Sequence, residues 1–561
     1  LQSSTVAYQY GISGPFWYAA GASIQVLLFG ILAIELKRKA PNAHTFLEII
    51  RARFGAGTHK VFLGFALTCN MIVTGMLLLG GAAVVNGLTG MDISLAAMLI
   101  PVGVMIYTLV GGLKATFVAD YMHTVIIFIV ILTFVATVFF ISPITGGVEG
   151  MYDKLVEAAS LNPVLEPTFT PGEPGNAMGA YLTMASAGGL IFGVINIVGN
   201  FGTVFVDQAY WQRAIAAQPS ATVKGFLLGG MCWFAIPFTL ATTMGLTAVA
   251  LDVALTPEQV QLGLVVPAAA SVLMGEIGAV MVLVMLFMAV TSAGSAELIA
   301  VSSLITYDVY RTYKNPNATG KQLLKVSRGV IVAFGLGMGM LAVVLLGMGL
   351  SLGFVYLAMG ILIGSAVIPI ALTITWSRTT RGGAVAGAII GVMLSLLTWT
   401  SVAASEADGV IDIGSLGGAF PMLYGNVVAI LSSGLICVVI SLAQNKKYDW
   451  KELDAHMSLV TDDMSGDAAA ELVKREQDEE QLKKAFKFSL KGGGLLTLIV
   501  IIFWPMPLYF SGYVFDYGFY GLWVGIAIVW VSIASAFIIG LPIVESRKGF
   551  AKVFSGKKES A

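Results

Sequence analysis

The sequence predicts an all-α polytopic membrane protein, and three observations carry that class. Its 561 residues are 57% hydrophobic and 11% charged, with mean hydropathy +0.87, whereas a soluble domain carries about 25% charge. Apolar runs of spanning length recur along the whole chain. Lys and Arg collect in alternate loops between those runs, which is the bias that orients membrane helices.

In order, the runs read as spans at about 14–36, 60–90, 92–111, 116–142, 180–212, 222–250, 267–310, 326–348, 352–376, 383–403, 423–443, 492–511 and 517–541. The opening "LQSSTVAYQYG" is half of the roughly 20 residues a span needs and has no basic n-region. It reads as the second half of a helix that starts before Leu1. With the loop "ELKRKAPNAHTFLEIIRARFG" placed in the cytoplasm, strict alternation puts every Lys and Arg except Lys154 on that side. Glu149, Asp153, Glu157, Glu166 and Glu173 fall outside, and the C-terminus falls inside. The acceptor-like "NAT" at Asn317 lies in an inner Lys-rich loop, which argues against glycosylation. The runs 180–212 and 267–310 exceed the bilayer, so each is expected to include an interfacial portion or a separate short helix. The one sizeable polar segment is 445–491, where "AAAELVKREQDEEQLKKAFKF" pairs helix formers with opposite charges three or four apart. It reads as a solvated cytoplasmic helix. Cys69, Cys232 and Cys437 all sit in apolar runs, so no disulfide framework is implied.

Polar residues inside the spans are the candidate functional groups, because a charge in hydrocarbon costs about 2.5–3.5 kcal/mol or more. Asn196, Asn200, Thr203, Asp207 and Trp211 are spaced for one helical face. That stripe is either a cavity wall or helix–helix hydrogen bonding, and Asp207 could instead pair with Arg213 or Lys224. Ser292, Ser295, Ser302 and Thr306 make a second stripe with Ala289 one turn above, either oxygen ligands for a small cation or small-residue packing. Glu297 lies on the same run, and Asp308 beside Arg311 reads as a structural pair. Tyr18, Ala22 and Gln25 share a face of the second helix. Tyr356 and Ser365, nine residues apart and so about 900° around a helix, meet only if the intervening glycines break it. Of His44, His59, His123 and His456 only His123 falls in a predicted span, and none has metal-ligand spacing. With no phosphate-cradling loop either, the chain reads as a secondary transporter, neither an enzyme nor an ATP-driven pump.

Three motifs carry a resemblance. "GGLKATFVADYMHTVIIF" (111–128), "VDQAYWQRAIAA" (206–217) and "VTSAGSAELIAVSSLITYDVYR" (290–311) resemble the fifth, sixth and eighth core helices of the sodium:solute symporter family. The wording of 13–55 is similar to its urea/polyamine active transporter branch. The resemblance implies a five-plus-five inverted-repeat core with alternating access, and ion-coupled uptake of urea, or of a polyamine, at the plasma membrane. It divides the chain into a core (1–376, its first core helix truncated), added membrane helices (377–444), the cytoplasmic loop (445–491) and C-terminal helices with a cytoplasmic tail (492–561). It implies a substrate site at Tyr18, Asn196, Asp207, Gln208, Trp211, Tyr356 and Ser365. It implies an ion site at Ala289, Ser292 and Ser295, with sodium at Ala289 and Ser292. Ala293 stands where the family usually has a second hydroxyl, leaving Thr291 or Ser295 to supply it, or a proton to replace sodium. Membrane lipid is an expected partner and nucleic acid is not; no cofactor is expected. A channel for the same solute, a transporter-like sensor and a carrier of another family solute are the rival readings.

Overall fold

The computed structural model describes residues 1–40, 43–217, 219–450, 453 and 479–554. Among them the chain is helical, with only two isolated bridges, Asn176–Ser186 and Thr183–Val514. Thirteen helical segments are long and apolar enough to cross a membrane, matching the thirteen predicted spans.

The short α1 (Gln2–Tyr10) turns at Gly11, φ +68°, into α2 (Ser13–Lys39). Only glycine fits there, because a Cβ would meet the backbone of Tyr181 as well as the left-handed φ. At the basic end α3 (Phe46–Phe54) leads to α4 (Ala56–Thr89). α5 (Ile93–Ala136) is two spans joined at Gly112, φ +55°. After α6 (Gly147–Leu161), the predicted span 180–212 resolves into three parts. Residues up to Ser186 form a loop pinned by Asn176 Nδ2, which donates to the carbonyls of Tyr10 and Ala180. α7 (Ala187–Phe205) crosses, and α8 (Gln208–Ala216) starts afresh after a break at Asp207.

α9 (Pro219–Leu240) passes through a π-helical turn into α10 (Leu246–Ala250), followed by α11 (Pro257–Gln261). α12 (Val265–Ser303) bends at Gly275, φ +60°, and runs on as a π-helix over Leu304–Lys314. The excess length of run 267–310 is therefore a short first helix plus this extension. α13 (Gly320–Gly347) precedes α14 (Leu352–Ile363) and α15 (Val367–Thr375), which a 3₁₀ turn at Gly364–Ala366 separates. Then come α16 (Arg381–Glu406), α17 (Ile413–Leu416), α18 (Ala419–Gln444), α19 (Glu479–Leu498), α20 (Pro505–Ser511) and α21 (Tyr517–Phe554). Of the charged stretch expected to form a cytoplasmic helix, Glu479 onward opens α19, and 454–478 lie outside the described residues. Several spans start on a side chain that accepts a free N–H of the first turn: Asp92, Ser186, Thr319, Ser351 and Thr380.

α2 is the central post, packed against α7, α9 and α19, while α12 packs on α5 and α16 on α18. Two large apolar clusters fill the bundle. One joins Phe16, Phe238, Trp504 and Trp523, and the other joins Phe29, Phe46, Phe62 and Trp211.

The basic end is tied together by cations on carbonyls. Lys39 Nζ bonds Glu35 (2.7 Å) and the Ile374 carbonyl (2.6 Å) and lies over Trp450. Arg53 donates to the carbonyls of Thr373 and Thr379 and faces Tyr448 and Trp450. His59, expected in a loop, is fully buried in α4. Its Nε2 lies 2.8 Å from Asp308 Oδ1 and its Nδ1 2.7 Å from the Tyr313 hydroxyl. Asp308 thus pairs with His59 and not with Arg311, because the π-helical winding turns it inward between α4 and α12.

Candidate functional site

The sequence-predicted residues separate into three groups at different places in the bundle. The first is central. Tyr18 of α2, Phe192 of α7 and Tyr356 of α14 lie with their rings nearly parallel, centroids 5.6–6.3 Å apart. The Tyr356 hydroxyl donates to Asn196 Oδ1 (2.5 Å), which also accepts from Asn200 Nδ2 (2.6 Å). Asn196 Nδ2 donates to the carbonyls of Trp17 and Tyr18. Gln25 Nε2 reaches the carbonyls of Gly21 and Ile197, leaving Oε1 buried with no partner among the described residues. The helices come this close because glycines face each other. A Cβ on Gly360 would strike Asn426 and lie 3.0 Å from Gly199 N.

The second group lies at the break between α7 and α8, so the expected single stripe from Asn196 to Trp211 is cut. Asp207 is extended (φ −79°, ψ 123°) and caps α8, Oδ1 accepting from Ala209 N at 2.7 Å. Asn70 Nδ2 donates both to Asp207 Oδ1 (2.7 Å) and to Glu297 Oε2 (2.6 Å), and so bridges the two carboxyls. All three side chains are buried. Cys69, Tyr210 and Arg213 are the other titratable groups nearby. Gln208 Nε2 donates to the His44 carbonyl, and Trp211 Nε1 to that of Phe205, its ring against Phe46 and Phe29. Packing and these hydrogen bonds hold both side chains away from the central rings, with Gln208 Oε1 buried and without a partner among the described residues.

The third group joins α5, α8 and α12. Ser292 Oγ donates to Asp120 Oδ1 (2.6 Å), and Arg213 holds Asp120 Oδ2 at 3.0 Å. The alternative pairing of Asp207 with Arg213 is not seen, since Arg213 holds Asp120, and the Lys224 side chain lies outside the described residues. Ser295 Oγ donates to the Ser292 carbonyl, and Ala289 is exposed one turn away. Ser365 joins none of these groups. The 3₁₀ turn does break the helix, but its Cβ lies against Gly391 of α16, and its hydroxyl is buried without a partner among the described residues. Among the described residues no cluster of three His, Cys, Asp or Glu could hold a metal ion.

Asn70 and Asp120 were not singled out from the sequence. Asn70 is a lone amide in the apolar run 60–90, and Asp120 lies inside the quoted 111–128 motif. Either could have been flagged as an isolated polar group in a span.

Broken helices around a central polar site are a transporter architecture, and the sequence comparison agrees. Residues 3–391 match the sodium:solute symporter family. The chain belongs to that family. It is 51% identical to the urea-proton symporter DUR3 of Oryza sativa subsp. japonica, over 99% of this chain and 77% of the relative. It is 38% identical to the urea active transporter of Saccharomyces cerevisiae, over 99% and 83%. The fold is similar to that of a Na+-coupled sialic acid symporter, with TM-score 0.53 and 16% identity over 78% of this chain and 89% of that one.

Proposed function

We propose that this symporter-family chain takes up urea across the plasma membrane by proton-coupled alternating access. The observation that carries the substrate is the 51% identity, across nearly the whole chain, to a protein named as a urea-proton symporter. The central group supports it. Urea is planar and neutral, with four N–H donors and one carbonyl. The Tyr18, Phe192 and Tyr356 rings offer flat faces, and Gln25 Oε1, without a partner among the described residues, offers an acceptor for urea N–H near the Asn196–Asn200 amides. A polyamine fits less well, because the described central residues include no carboxylate and Asp207 is committed to Asn70, Glu297 and the α8 cap. We therefore keep Tyr18, Asn196 and Tyr356 as substrate contacts and read Gln208, Trp211 and Ser365 as structural.

For the coupling ion we favour the Asp207–Glu297 pair as the proton carrier over sodium at Ala289, Ser292 and Ser295. Ser292 already donates to Asp120, whose charge Arg213 balances. We read 1–376 as the transport core, with 377–444 and 492–561 as added helices around it, 445–491 as a cytoplasmic loop, and the C-terminus as cytoplasmic. Labelled urea and putrescine uptake in cells lacking their own carriers, with sodium and pH varied independently, tests the whole reading. Accumulation of urea that follows the proton gradient is expected. Uptake indifferent to both gradients removes symport and leaves a channel; putrescine preferred over urea removes the substrate assignment.

A further inference from the structure

At the break of α5 at Gly112, Thr108–Gly112 wall a cavity of about 890 Å³ against α12, its π-helical extension and α13. Its wall is chemically one-sided. Lys321 and Arg328 of α13 line it, seven residues and so two turns apart on one face. No Asp or Glu lines it, and neither cation has a carboxylate partner among the described residues. The N-terminus of the 28-residue α13 opens onto the same space through Thr319 and Gly320. Thr319 Oγ1 takes the Gln322 N–H, while the N–H groups of Gly320 and Lys321 have no acceptor among the described residues. The positive end of a helix with free N–H groups favours an anion.

A separate observation comes from the opposite wall. Thr306 is 2% exposed and lines the cavity, yet its hydroxyl has no partner among the described residues. A threonine in a helix ordinarily bonds a carbonyl one turn back, as Thr108 on the facing wall does to Val104 at 2.7 Å. Thr306 sits in the π-helical stretch Leu304–Lys314, where the wider winding leaves its hydroxyl free. A buried hydroxyl without a partner is unfavourable, and a bound oxyanion removes that cost. The rim is apolar, with Val110 87% and Leu324 54% exposed.

We propose that this cavity binds a phosphate group, held by Lys321, Arg328, the free N–H groups of α13 and the Thr306 hydroxyl. Lys321 supplies a point charge and Arg328 a two-pronged donor for phosphate oxygens. The apolar rim fits a phosphate carried by a phospholipid headgroup, with the acyl chains along Val110 and Leu324. A soluble phosphate compound shares the recognition chemistry but leaves that rim bare. Occupancy would reach the transport path through Ser303, another lining residue, which accepts from Gln212 Nε2 of α8 at 3.2 Å. The proposal does not depend on which solute the chain carries.

The test uses the purified full-length protein in nanodiscs of phosphatidylcholine, with phosphatidylinositol 4,5-bisphosphate added at increasing mole fraction and binding read by native mass spectrometry. Inositol hexakisphosphate and inorganic phosphate serve as the soluble arms. Saturable lipid binding, weakened about tenfold or more in Lys321→Ala/Arg328→Ala by the loss of two charge-assisted contacts, supports the lipid source. Binding of the soluble arms alone, with the same dependence on those two residues, supports the phosphate site with the soluble source. The Lys446→Ala/Lys447→Ala variant, in basic residues outside the cavity, is expected to bind as the unmodified protein does. Thr306→Val, which keeps the shape and both cations, is expected to weaken binding severalfold and stands in if the double variant misfolds. Binding by neither arm, or unchanged binding in both the double variant and Thr306→Val, overturns the proposal.

Discussion

At the scale of single residues, Asp207 changes meaning most. As a letter in an apolar run it is a charge that needs explaining. In the fold it is a helix cap, one half of an acid pair and a partner of Asn70. These roles separate by substitution. Asn caps a helix about as well as Asp, so Asp207→Asn keeps α8 while removing the charge. The expected result is normal expression, retained downhill urea exchange and loss of proton-driven accumulation, read by uptake against an imposed pH gradient. Glu297→Gln should behave alike. Asn70→Leu is different, because it leaves two buried acids without their bridging amide, and a hydrogen bond to a charged group contributes about 1.5–3 kcal/mol. A marked drop in melting temperature in detergent is expected. Tyr356→Phe removes the donor to Asn196 Oδ1. Asn196 Oδ1 keeps its bond from Asn200 Nδ2 and loses one hydrogen bond of about 0.5–1.5 kcal/mol, so KM for urea should rise severalfold with little change in expression.

At the scale of elements, glycines and breaks set what can meet. α7 and α14 cross at Gly199 and Gly360 with no room for a methyl group on Gly360. Gly360→Ala forces the helices apart, an overpacking that costs about 1–3 kcal/mol. It should also move Tyr356 away from Asn196, so both thermal stability and urea affinity are expected to fall; unchanged affinity in a well-folded variant removes the central group from the site. The spans and most of their ends were legible in sequence, because length, apolarity and capping residues are local properties. The separate short helix within run 180–212 was expected, but its break at Asp207 was not placed. The spacing from Asn196 to Trp211 satisfies a continuous helix, and only contacts with α4 and α12 favour ending it. Ser365 shows the converse. The glycine-rich stretch does break, which was the condition for Tyr356 and Ser365 to meet, but the break turns Ser365 toward Gly391 on α16.

At the scale of the whole molecule, the basic end works as a clasp. Arg53 links α3 to carbonyls at the end of α15 and to Tyr448 and Trp450 beyond α18. Burial pushes its pKa down to about 10, still well above neutral, so it stays charged at working pH. Arg53→Lys keeps the charge but loses the forked donors. A hydrogen bond to a charged group contributes about 1.5–3 kcal/mol, so the variant should unfold at lower temperature, with proteolysis appearing first near residues 376–380. Equal stability and protease resistance would show that the aromatic contacts alone close this end.

The sequence by itself determined the class, the thirteen spans and the family, because hydropathy and motif spacing are written along the chain. Tertiary structure alone decided which polar residues share a site. Tyr18, Asn196 and Tyr356 meet, while Asp207 finds Asn70 and Glu297, and Arg213 finds Asp120. Those partners are far apart in sequence, on helices whose rotation and breaks are set by packing. Helical spacing specifies a face but not what that face meets. Inside a bundle each buried polar group must find its own partner, and those partnerships separated residues that had looked like one stripe.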